Sequence, residues 1–216
     1  TLDLVHGDWR TYDQPLHIGQ APSSDGTITV STVNIEENND KEPVNYVLPQ
    51  GISTLTDPSQ TQLVESNEHA MAITVDGLAP GDARAVYKNC NYNMRQYKHL
   101  QMFVHANALA QNVTSTTDGE TSIFIRLGSD YKSNYYEYEV PLKLTPPSNK
   151  YNRYSPADQR AVWPEENLID IDLDIFTNIR KARNTRNSLG MASYNTRYSE
   201  YDERRPSNKV TIMGNP

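Results

Sequence analysis

The chain has 216 residues, which is long enough for one all-β domain with a substantial core. Hydrophobic residues make up only 36% of it, so we expect much of the chain to be loop or polar surface. The formal net charge of -7 disfavours a nucleic-acid partner, and the single cysteine, Cys90, excludes an internal disulfide. No apolar run approaches the roughly 20 residues that a membrane-spanning helix requires. The sequence starts without an initiator methionine or a signal peptide, and we expect it to be part of a larger protein.

Short strands are predicted throughout the first half of the chain, with turn residues between them. Apolar side chains alternate with threonines in the second of these strands, directly after an Asp-Gly turn. A single helical turn is predicted before the last of these strands. Within that strand, the alternation of side chains places His105 on the face opposite to Val104. The predicted strands lie within residues 2–12, 25–35, 70–78, 84–89 and 101–109.

Residues 122–144 carry the clearest pattern in the chain and predict a long-looped β-hairpin. Apolar and polar residues alternate along both halves, which is the period of a strand with one buried face. The polar residues 128–134 between the halves supply the turn. An antiparallel sheet with one apolar face needs a second layer, which the other strands are predicted to provide. The predicted buried face comprises Ile123, Ile125, Leu127, Tyr136, Tyr138, Val140, Leu142 and Leu144.

Helical signals follow the hairpin. Ser155 precedes a proline and has an acid three residues later, so a short helix is expected to begin there and to end at Trp163. An amphipathic helix is predicted within the helix-bearing segment 161–184, with Asp172 available as its N-cap. Residues 185–208 lack any sustained period and are predicted to be a mobile loop.

The elements together predict an all-β fold, a jelly-roll-like β-sandwich of about seven or eight strands. One short amphipathic helix and long loops complete it, and residues 209–216 close the chain as a strand. No internal repeat is visible. We expect one sandwich domain over residues 1–216, which includes the helix-bearing segment and the loop at 185–208.

The histidines and aspartates give little support for a metal site. No HxH or HExxH motif is present, and His99 and His105 lie about 20 Å apart along a strand. Asp170, Asp172 and Asp174 alternate like the ligands of a calcium loop, but the glycine and the later glutamate of an EF-hand are missing. We therefore predict no metal and no other cofactor, with calcium binding in the acidic loops as the open alternative.

Two glutamates, Glu137 and Glu139, project from one face of the predicted hairpin. Glycosidases use paired carboxyl groups, but these face each other across a cleft at about 5–9.5 Å. Neighbouring glutamates on an exposed strand face more simply keep a sheet soluble. No GxSxG, P-loop or GxGxxG motif is present either. We therefore predict no catalytic residues and no enzymatic activity.

Tyrosine is heavily used, with 14 residues against three phenylalanines. Aromatic side chains of this kind stack on sugar rings, but they also suit half-buried strands and protein interfaces, because tyrosine has an apolar body and a polar hydroxyl. The residues alone leave both interpretations open. The candidate interaction or glycan surface comprises Tyr131, Tyr135, Tyr138 and Trp163.

Five segments of the chain resemble one known family. They are YVLPQGI, GDARAVYKN, MRQYKHLQMFVHA, FIRLGSDYKSNYYEYEVPLKLTP and VWPEENLIDIDLD. They are similar to segments of the SprA/Sov family, the large cell-surface proteins of type IX secretion and gliding motility. The resemblance covers most of the chain, and its two longest motifs are rich in Tyr, Trp and Pro.

The resemblance implies that this chain is an internal fragment of a very large outer-membrane β-barrel that exports folded cargo. It implies a soluble, non-catalytic insertion that is not itself membrane-spanning. Its expected partners are other parts of the same translocon barrel and secretion-system or cargo proteins. The expected location is the cell envelope, in association with the outer membrane, and the extracellular side is favoured over the periplasmic side. A carbohydrate-binding module with a Tyr-rich face is the alternative, because Tyr-rich jelly rolls often bind glycans.

Overall fold

The computed structural model describes residues 9–12, 14–16, 25–52, 68–90, 93–110 and 116–216. Strands outnumber helices in these ranges, and the named strands pair only antiparallel, which confirms the mostly-β prediction. The strands are β1 Arg10–Tyr12, β2 Thr27–Asn34, β3 His69–Asp76, β4 Ala85–Tyr87, β5 His99–Met102, β6 Ser122–Gly128, β7 Tyr135–Pro141, β8 Ile169–Asp172, β9 Tyr198–Tyr201 and β10 Lys209–Met213. The α-helices are α1 Ile35–Asn38, α2 Pro156–Val162 and α3 Asp174–Ser188, and 3-10 turns occupy Met94–Gln96 and Glu165–Asn167.

The chain divides into two compact units. The first comprises Thr1–Asn38 with Thr54–Asn93, and the second comprises Asn39–Ser53 with Met94–Pro216. The prediction of one sandwich domain over residues 1–216 stays a prediction.

The first unit contains two antiparallel strand pairs, β1 with β4 and β2 with β3. Ile28 lies opposite Val75 and Val30 lies opposite Ile73, so the predicted alternation places these side chains on one face of the β2–β3 pair. The strand predicted at the start of residues 2–12 lies outside the described residues, and β1 occupies the end of that range.

The second unit is built on a four-stranded sheet with the order β6-β7-β10-β9. The predicted hairpin is confirmed as the β6–β7 pair, in which Ile125 lies opposite Tyr138. The predicted closing strand is confirmed as β10, which pairs with β7 on one side and β9 on the other. The last strand of the chain is therefore an inner strand of the sheet.

One face of this sheet carries the main hydrophobic core. Tyr138, Val140 and Ile212 are completely buried there. They pack in one cluster with residues of β8 and α3, so a helix and the two-stranded β5–β8 sheet form the second layer. A jelly roll instead packs two larger sheets face to face, and that arrangement is not confirmed. The other core residues of the cluster are Val104, Ile169, Ile171, Phe176, Ile179 and Val210.

The short helix α2 follows the prediction closely. The Ser155 side chain accepts a hydrogen bond from Asp158 N at 3.3 Å, and Trp163 is the C-cap. This serine satisfies one of the backbone N–H groups that the first helical turn leaves without an intrahelical acceptor.

The segment before α3 contains a strand that was not predicted. Residues 169–172 form β8, in which Ile169 and Ile171 point into the core while Asp170 lies on the other face. Leu173 takes the N-cap position without a side-chain hydrogen bond of its own, while the Asp172 side chain accepts a hydrogen bond from Asp174 N at 3.4 Å and so caps the first turn as predicted. The predicted amphipathic helix itself is present, and it buries Phe176 and Ile179.

The segment 185–208 also differs from the prediction of a loop. Helix α3 continues to Ser188, and Tyr198–Tyr201 forms β9 along one edge of the sheet. Three of the four β9 residues are exposed, so the strand has no alternating apolar pattern that its sequence could reveal. The pairing with β10 defines it instead.

Candidate functional site

The second face of the four-stranded sheet holds a cluster of polar side chains that ion pairs connect. The antiparallel register places Arg126, Glu137, Thr211 and Ser199 side by side across β6, β7, β10 and β9. Successive side chains of a strand point to opposite faces, so this row lies opposite the core. We call this row, together with Tyr135 and Arg197, the polar face.

Glu137 is the centre of the polar face. Its Oε2 accepts a hydrogen bond from Arg126 Nε at 2.9 Å and a second from Arg126 Nη2, and its Oε1 accepts from Arg197 Nη2 at 2.5 Å. Glu137 is 3% exposed, so the prediction that it lies on an exposed face was wrong. Two guanidinium groups hold both oxygens of a buried carboxylate, which leaves it poorly placed to act as a base or nucleophile.

Arg126 is held from several sides. Its guanidinium carbon lies 3.9 Å from the centre of the Tyr135 ring and 5.2 Å from that of the Phe124 ring. Arg126 Nη1 also donates to the carbonyl of Tyr131, in the loop that joins β6 to β7. The planar guanidinium combines stacking with forked hydrogen bonds in a way that a lysine ammonium cannot. Arg126 thus links the hairpin loop to the sheet.

Glu139 lies on the same face as Glu137 but nearer to solvent. Lys209 Nζ is 2.5 Å from its Oε2, and the Ser122 hydroxyl donates to its Oε1 at 2.7 Å. Partial burial raises the pKa of Glu139, but the hydrogen bonds from Lys209 and Ser122 outweigh this and lower it below its ordinary value. Both predicted glutamates therefore belong to ion pairs on one strand, and they do not face each other across a cleft.

Asp130 organises the hairpin loop beside the polar face. Its Oδ1 accepts hydrogen bonds from the backbone N–H groups of Lys132, Ser133 and Asn134, and its Oδ2 accepts from the Asn134 side chain. The Asn134 side chain and these N–H groups lower the pKa of Asp130 to about 2. Gly214 meets the loop, where an added Cβ would lie 1.9 Å from the Ser133 carbonyl oxygen.

The predicted aromatic surface is not assembled on one face. Tyr135 and Tyr138 are 3% and 0% exposed and project from opposite faces of β7. The Tyr138 hydroxyl donates to Asp202 Oδ2 at 2.7 Å and accepts from Asn208 Nδ2 at 3.1 Å. Burial, followed by the hydrogen bond to Asp202, raises the pKa of Tyr138 to about 12, although Asn208 opposes the shift. Neither ring is open to stack on a sugar.

Trp163 and Tyr131, the other two residues of the predicted interaction or glycan surface, lie in different parts of the structure. Trp163 is half-buried at the end of α2, where its Nε1 donates to the Val47 carbonyl at 2.7 Å. Its ring meets those of Tyr46, Phe103 and His105 edge to face. Tyr131 is half-buried in the hairpin loop. The structure thus brings only Tyr131 and Tyr135 together, around Arg126.

A small cavity of about 170 Å³ lies beside the histidine that the sequence analysis placed on a strand face. Asn107 and Thr145 line it, and each also contacts His105, at 3.0 Å and 3.1 Å. His105 Nδ1 lies 2.8 Å from the Val162 carbonyl. Burial is the main cause that lowers the pKa of His105, so the ring is neutral at neutral pH. The histidine serves packing and hydrogen bonding here.

A family model described as "Motility related/secretion protein" (SprA_N) matches residues 1–216. The chain belongs to this family. The match confirms the resemblance to SprA/Sov proteins and shows a role related to motility and secretion. No curated protein matches the sequence. In the described part of this SprA_N chain, every helix is too short or too polar to cross a membrane.

The calcium hypothesis for this SprA_N chain receives no support from the aspartates that suggested it. Asp170 Oδ1 lies 3.1 Å from His99 Nε2, at an ion-pair distance without hydrogen-bond geometry, while Asp172 ends β8 and Asp174 begins α3. Across the described ranges, no group of three or more His, Cys, Asp or Glu side chains is placed to hold a metal. The absence of a cofactor stays a prediction.

Two arginines of the polar face were missed by the sequence analysis. Arg126 had a usable signal, since the hairpin register places it opposite Glu137 as a cross-strand pair of opposite charges. Arg197 had none, because it lies in the segment predicted as loop and reaches Glu137 from 60 residues away.

Proposed function

We propose that this SprA_N chain is a non-catalytic domain of the outer-membrane translocon of type IX secretion and gliding motility. It supplies a structural and interaction surface at the export pore. The observation that carries the proposal is the family match over residues 1–216. The proposed partners are other parts of the translocon and secretion-system or cargo proteins, and the proposed location is the extracellular side of the outer membrane. A jelly-roll-like sandwich remains the fold that we propose for the domain.

The polar face supports a non-catalytic role. General acid-base chemistry needs a group that can exchange a proton with a substrate within hydrogen-bond reach. Glu137, the most buried carboxylate of the candidate pair, is held by Arg126 and Arg197, and Glu139 is held by Lys209. Both carboxylates thus act in holding the sheet together.

The edge strand β9 supports an interaction role. It is the last strand of the four-stranded sheet, and Tyr201 at its end is 68% exposed. An open sheet edge offers backbone N–H and C=O groups to a strand of another protein, and an exposed tyrosine adds contact area. We propose this edge as the contact for a translocon or cargo segment.

A carbohydrate-binding module is the second candidate, and burial disfavours it. Sugar rings stack on aromatic faces that solvent reaches, whereas Tyr135 and Tyr138 are enclosed. The exposed tyrosines Tyr154 and Tyr201 lie on different elements, in the loop before α2 and on β9. A glycan array with the purified chain tests this candidate, and binding that is lost in Tyr201→Ala would favour it.

Complementation of a gene deletion tests the proposed function directly. Cells without the gene should lose protein secretion and gliding, and the intact gene should restore both. The variant Glu139→Gln should restore them as well, because a structural carboxylate on the rim is replaceable whereas a catalytic one is not. Normal secretion in the deletion strain would refute the secretion role. Failure of a well-folded Glu139→Gln protein would refute the non-catalytic role.

A further inference from the structure

The outer edge of β9 is an open side of the four-stranded sheet. β9 is the last strand in the order β6-β7-β10-β9, and no other strand of the described ranges pairs with it. Three of its four residues are exposed, whereas five of the seven residues of β6, the opposite edge strand, are half-buried. A strand of another chain can extend a sheet at such an edge. Of the two edges, β9 is therefore the more accessible.

The register of the sheet determines which backbone groups of β9 reach this edge. Asp202 N donates to the Asn208 carbonyl at 3.0 Å, in continuation of the β9–β10 pairing. In an antiparallel pair, residues that bond to the partner strand alternate with residues whose N–H and C=O groups point away. Glu200, two residues before Asp202, therefore bonds to β10 as well. Ser199 and Tyr201 direct their backbone groups outward.

The sequence of β9 and the residue before it is complementary to itself. Residues 197–201 read Arg-Tyr-Ser-Glu-Tyr. When two copies run antiparallel about a two-fold axis at Ser199, Arg197 lies opposite Tyr201 and Tyr198 lies opposite Glu200. A guanidinium beside an aromatic ring and a phenol beside a carboxylate are both favourable cross-strand pairs. Such a contact uses the same surface on both copies, which is the arrangement of a two-fold dimer.

The side chains around β9 add charge complementarity on both faces of the sheet. On the polar face, the Arg197 side chain is 21% exposed, and Tyr201 of the second copy, 68% exposed, would cover it. On the core face, the Arg186 guanidinium carbon lies 5.9 Å from the centre of the Tyr198 ring. Glu200 of the second copy would lie opposite Tyr198 and close to this cation. Each copy thus offers both the cation and the carboxylate that the other needs.

Other positions of the two-fold axis are less favourable. An axis at Glu200 places the two Glu200 carboxylates directly opposite each other, and an axis at Tyr201 places Glu200 opposite Asp202. Like charges in directly opposite positions destabilise a strand pair. An axis one residue before Ser199 pairs the end of β9 with residues 195–196, which lie in the turn before the strand. Only the axis at Ser199 pairs all of β9 without opposing like charges.

We propose that the open edge of β9 binds β9 of a second copy of this chain, antiparallel and with the two-fold axis at Ser199. The sheets of the two copies then form one eight-stranded sheet with both polar faces on the same side. This inference rests on the interaction role proposed for the β9 edge, and it names the partner. The contact is small, so we expect a weak dimer in solution.

Disulfide trapping tests the position of the axis. The Cα atoms of residues directly opposite each other in a hydrogen-bonded pair lie about 5.5 Å apart, which a disulfide can span. In a Cys90→Ser background, mild oxidation of Ser199→Cys should therefore give roughly ten times more linked dimer than oxidation of Tyr154→Cys. Tyr154 is the control because it is 73% exposed and lies outside β9. Equal yields from the two variants would overturn the proposal.

A matched pair of substitutions at Ser199 tests the backbone pairing. Ser199→Pro removes the outward N–H, and an edge strand tolerates proline where its N–H faces solvent. This variant should keep the thermal unfolding curve of a folded chain but should not dimerise in sedimentation equilibrium. Ser199→Ala also lacks the hydroxyl yet keeps the N–H, so it should dimerise as the wild type does. Equal dimerisation of the two variants would contradict the proposal, and so would unfolding of the proline variant alone.

The variant Glu200→Gln distinguishes the registers without a change of shape. It should weaken the dimer severalfold, because the carboxylate opposite Tyr198 and Arg186 is lost. A tighter dimer would place the axis at Glu200 and refute the proposed register. If the wild-type chain stays monomeric and Ser199→Cys is not trapped, while secretion still depends on the gene, the dimer is refuted and the secretion role stands.

Discussion

Both faces of the four-stranded sheet bury side chains, but they do so by different means. On the core face, Tyr138, Val140 and Ile212 pack under α3 and β8, which is ordinary apolar burial. On the polar face, Glu137 and Thr211 are 3% and 0% exposed on the side opposite this core. Arg126 of the sheet and Arg197 of the flanking segment form ion pairs with Glu137 there.

In this sheet, charged residues pair with one another on the face opposite the hydrophobic core. An antiparallel sheet usually has one face toward the core and one toward water. Here the guanidinium groups of Arg126 and Arg197 lie on the polar face and satisfy the buried carboxylate of Glu137. Burial on this face therefore depends on ion pairing, and on the core face it depends on packing.

The largest expected effect comes from removal of the carboxylate at the centre of the polar face. Glu137→Ala leaves the largely buried guanidinium groups of Arg126 and Arg197 without their counter-charge. Breaking one partner of a buried ion pair costs about 3–5 kcal/mol, so urea unfolding should show a loss of this order in the free energy of unfolding. Glu139→Ala on the same face should lose only about 1 kcal/mol, since the Glu139 and Lys209 side chains are 20% and 31% exposed.

Replacement of the whole cluster sharpens the same prediction. A triple variant Arg126→Met, Glu137→Leu, Arg197→Met removes all three charges together. It should recover most of the stability that Glu137→Ala loses, because apolar groups of similar size often replace a buried ion pair without net cost. If the triple variant were less stable than Glu137→Ala, the ion pairs would contribute more to the free energy of unfolding than apolar side chains at the same positions can replace.

The core face should respond to loss of volume rather than of charge. Ile212→Ala should lower the free energy of unfolding by about 3 kcal/mol, because Ile212 is 0% exposed and a cavity remains. Its chain neighbour Thr211 is equally buried but points to the polar face. Thr211→Val removes one hydrogen bond with Ser199 and should lose only about 1 kcal/mol in the same urea titration. Equal losses would contradict the distinction between the faces.

Substitutions of two tyrosines on opposite faces of β7 distinguish the stability that a hydroxyl hydrogen bond contributes from the stability that a buried ring contributes. Tyr138→Phe leaves Asp202 Oδ2 and Asn208 Nδ2 without the hydroxyl that they share, so it should lose about 2 kcal/mol of unfolding free energy. Tyr135→Phe keeps the ring under Arg126, and the Tyr135 hydroxyl has no hydrogen bond with another described residue. Its loss should therefore be below about 0.5 kcal/mol by thermal and urea unfolding. A larger loss of unfolding free energy for Tyr135→Phe than for Tyr138→Phe would show that the two hydroxyl environments are wrongly assigned.

The smallest expected effect is a dependence of the stability of the hairpin loop on pH. The pKa of Asp130 is lowered from 3.8 to about 2, so its hydrogen bonds contribute stability above pH 3.8 that is lost as the pH falls toward 2. The amide resonances of Lys132, Ser133 and Asn134 should follow this titration with a midpoint near pH 2. Asp130→Asn should remove the transition, whereas a midpoint near 3.8 in the wild type would disprove the proposed hydrogen bonding.

The sequence predicted the features that local patterns encode. Alternation along residues 122–144 predicted the β6–β7 hairpin, and Ser155 before a proline predicted the start of α2. The family resemblance was also readable, since its motifs are long and rich in aromatic residues. These signals lie within a few neighbouring residues, so they need no knowledge of the tertiary structure.

Features that depend on distant contacts were not predictable. No strand was predicted over residues 169–172, because only their pairing with β5 makes them a strand. Glu137 was placed on an exposed face because nothing in the sequence indicates that Arg197 reaches it across 60 residues. Edge strand β9 lacked a pattern for the same reason, since only its pairing with β10 defines it.

Site-specific photo-crosslinking in the cells that produce the protein tests the central claim most directly. A photoreactive residue at Tyr201, on the open edge of β9, should crosslink to components of the secretion machinery or to its cargo. The same residue at Tyr154 should give much weaker crosslinks, although Tyr154 is similarly exposed. Capture of secretion proteins at position 201 would support an interaction domain of the translocon. Absence of any protein crosslink at this edge, in cells that secrete normally, would contradict the account.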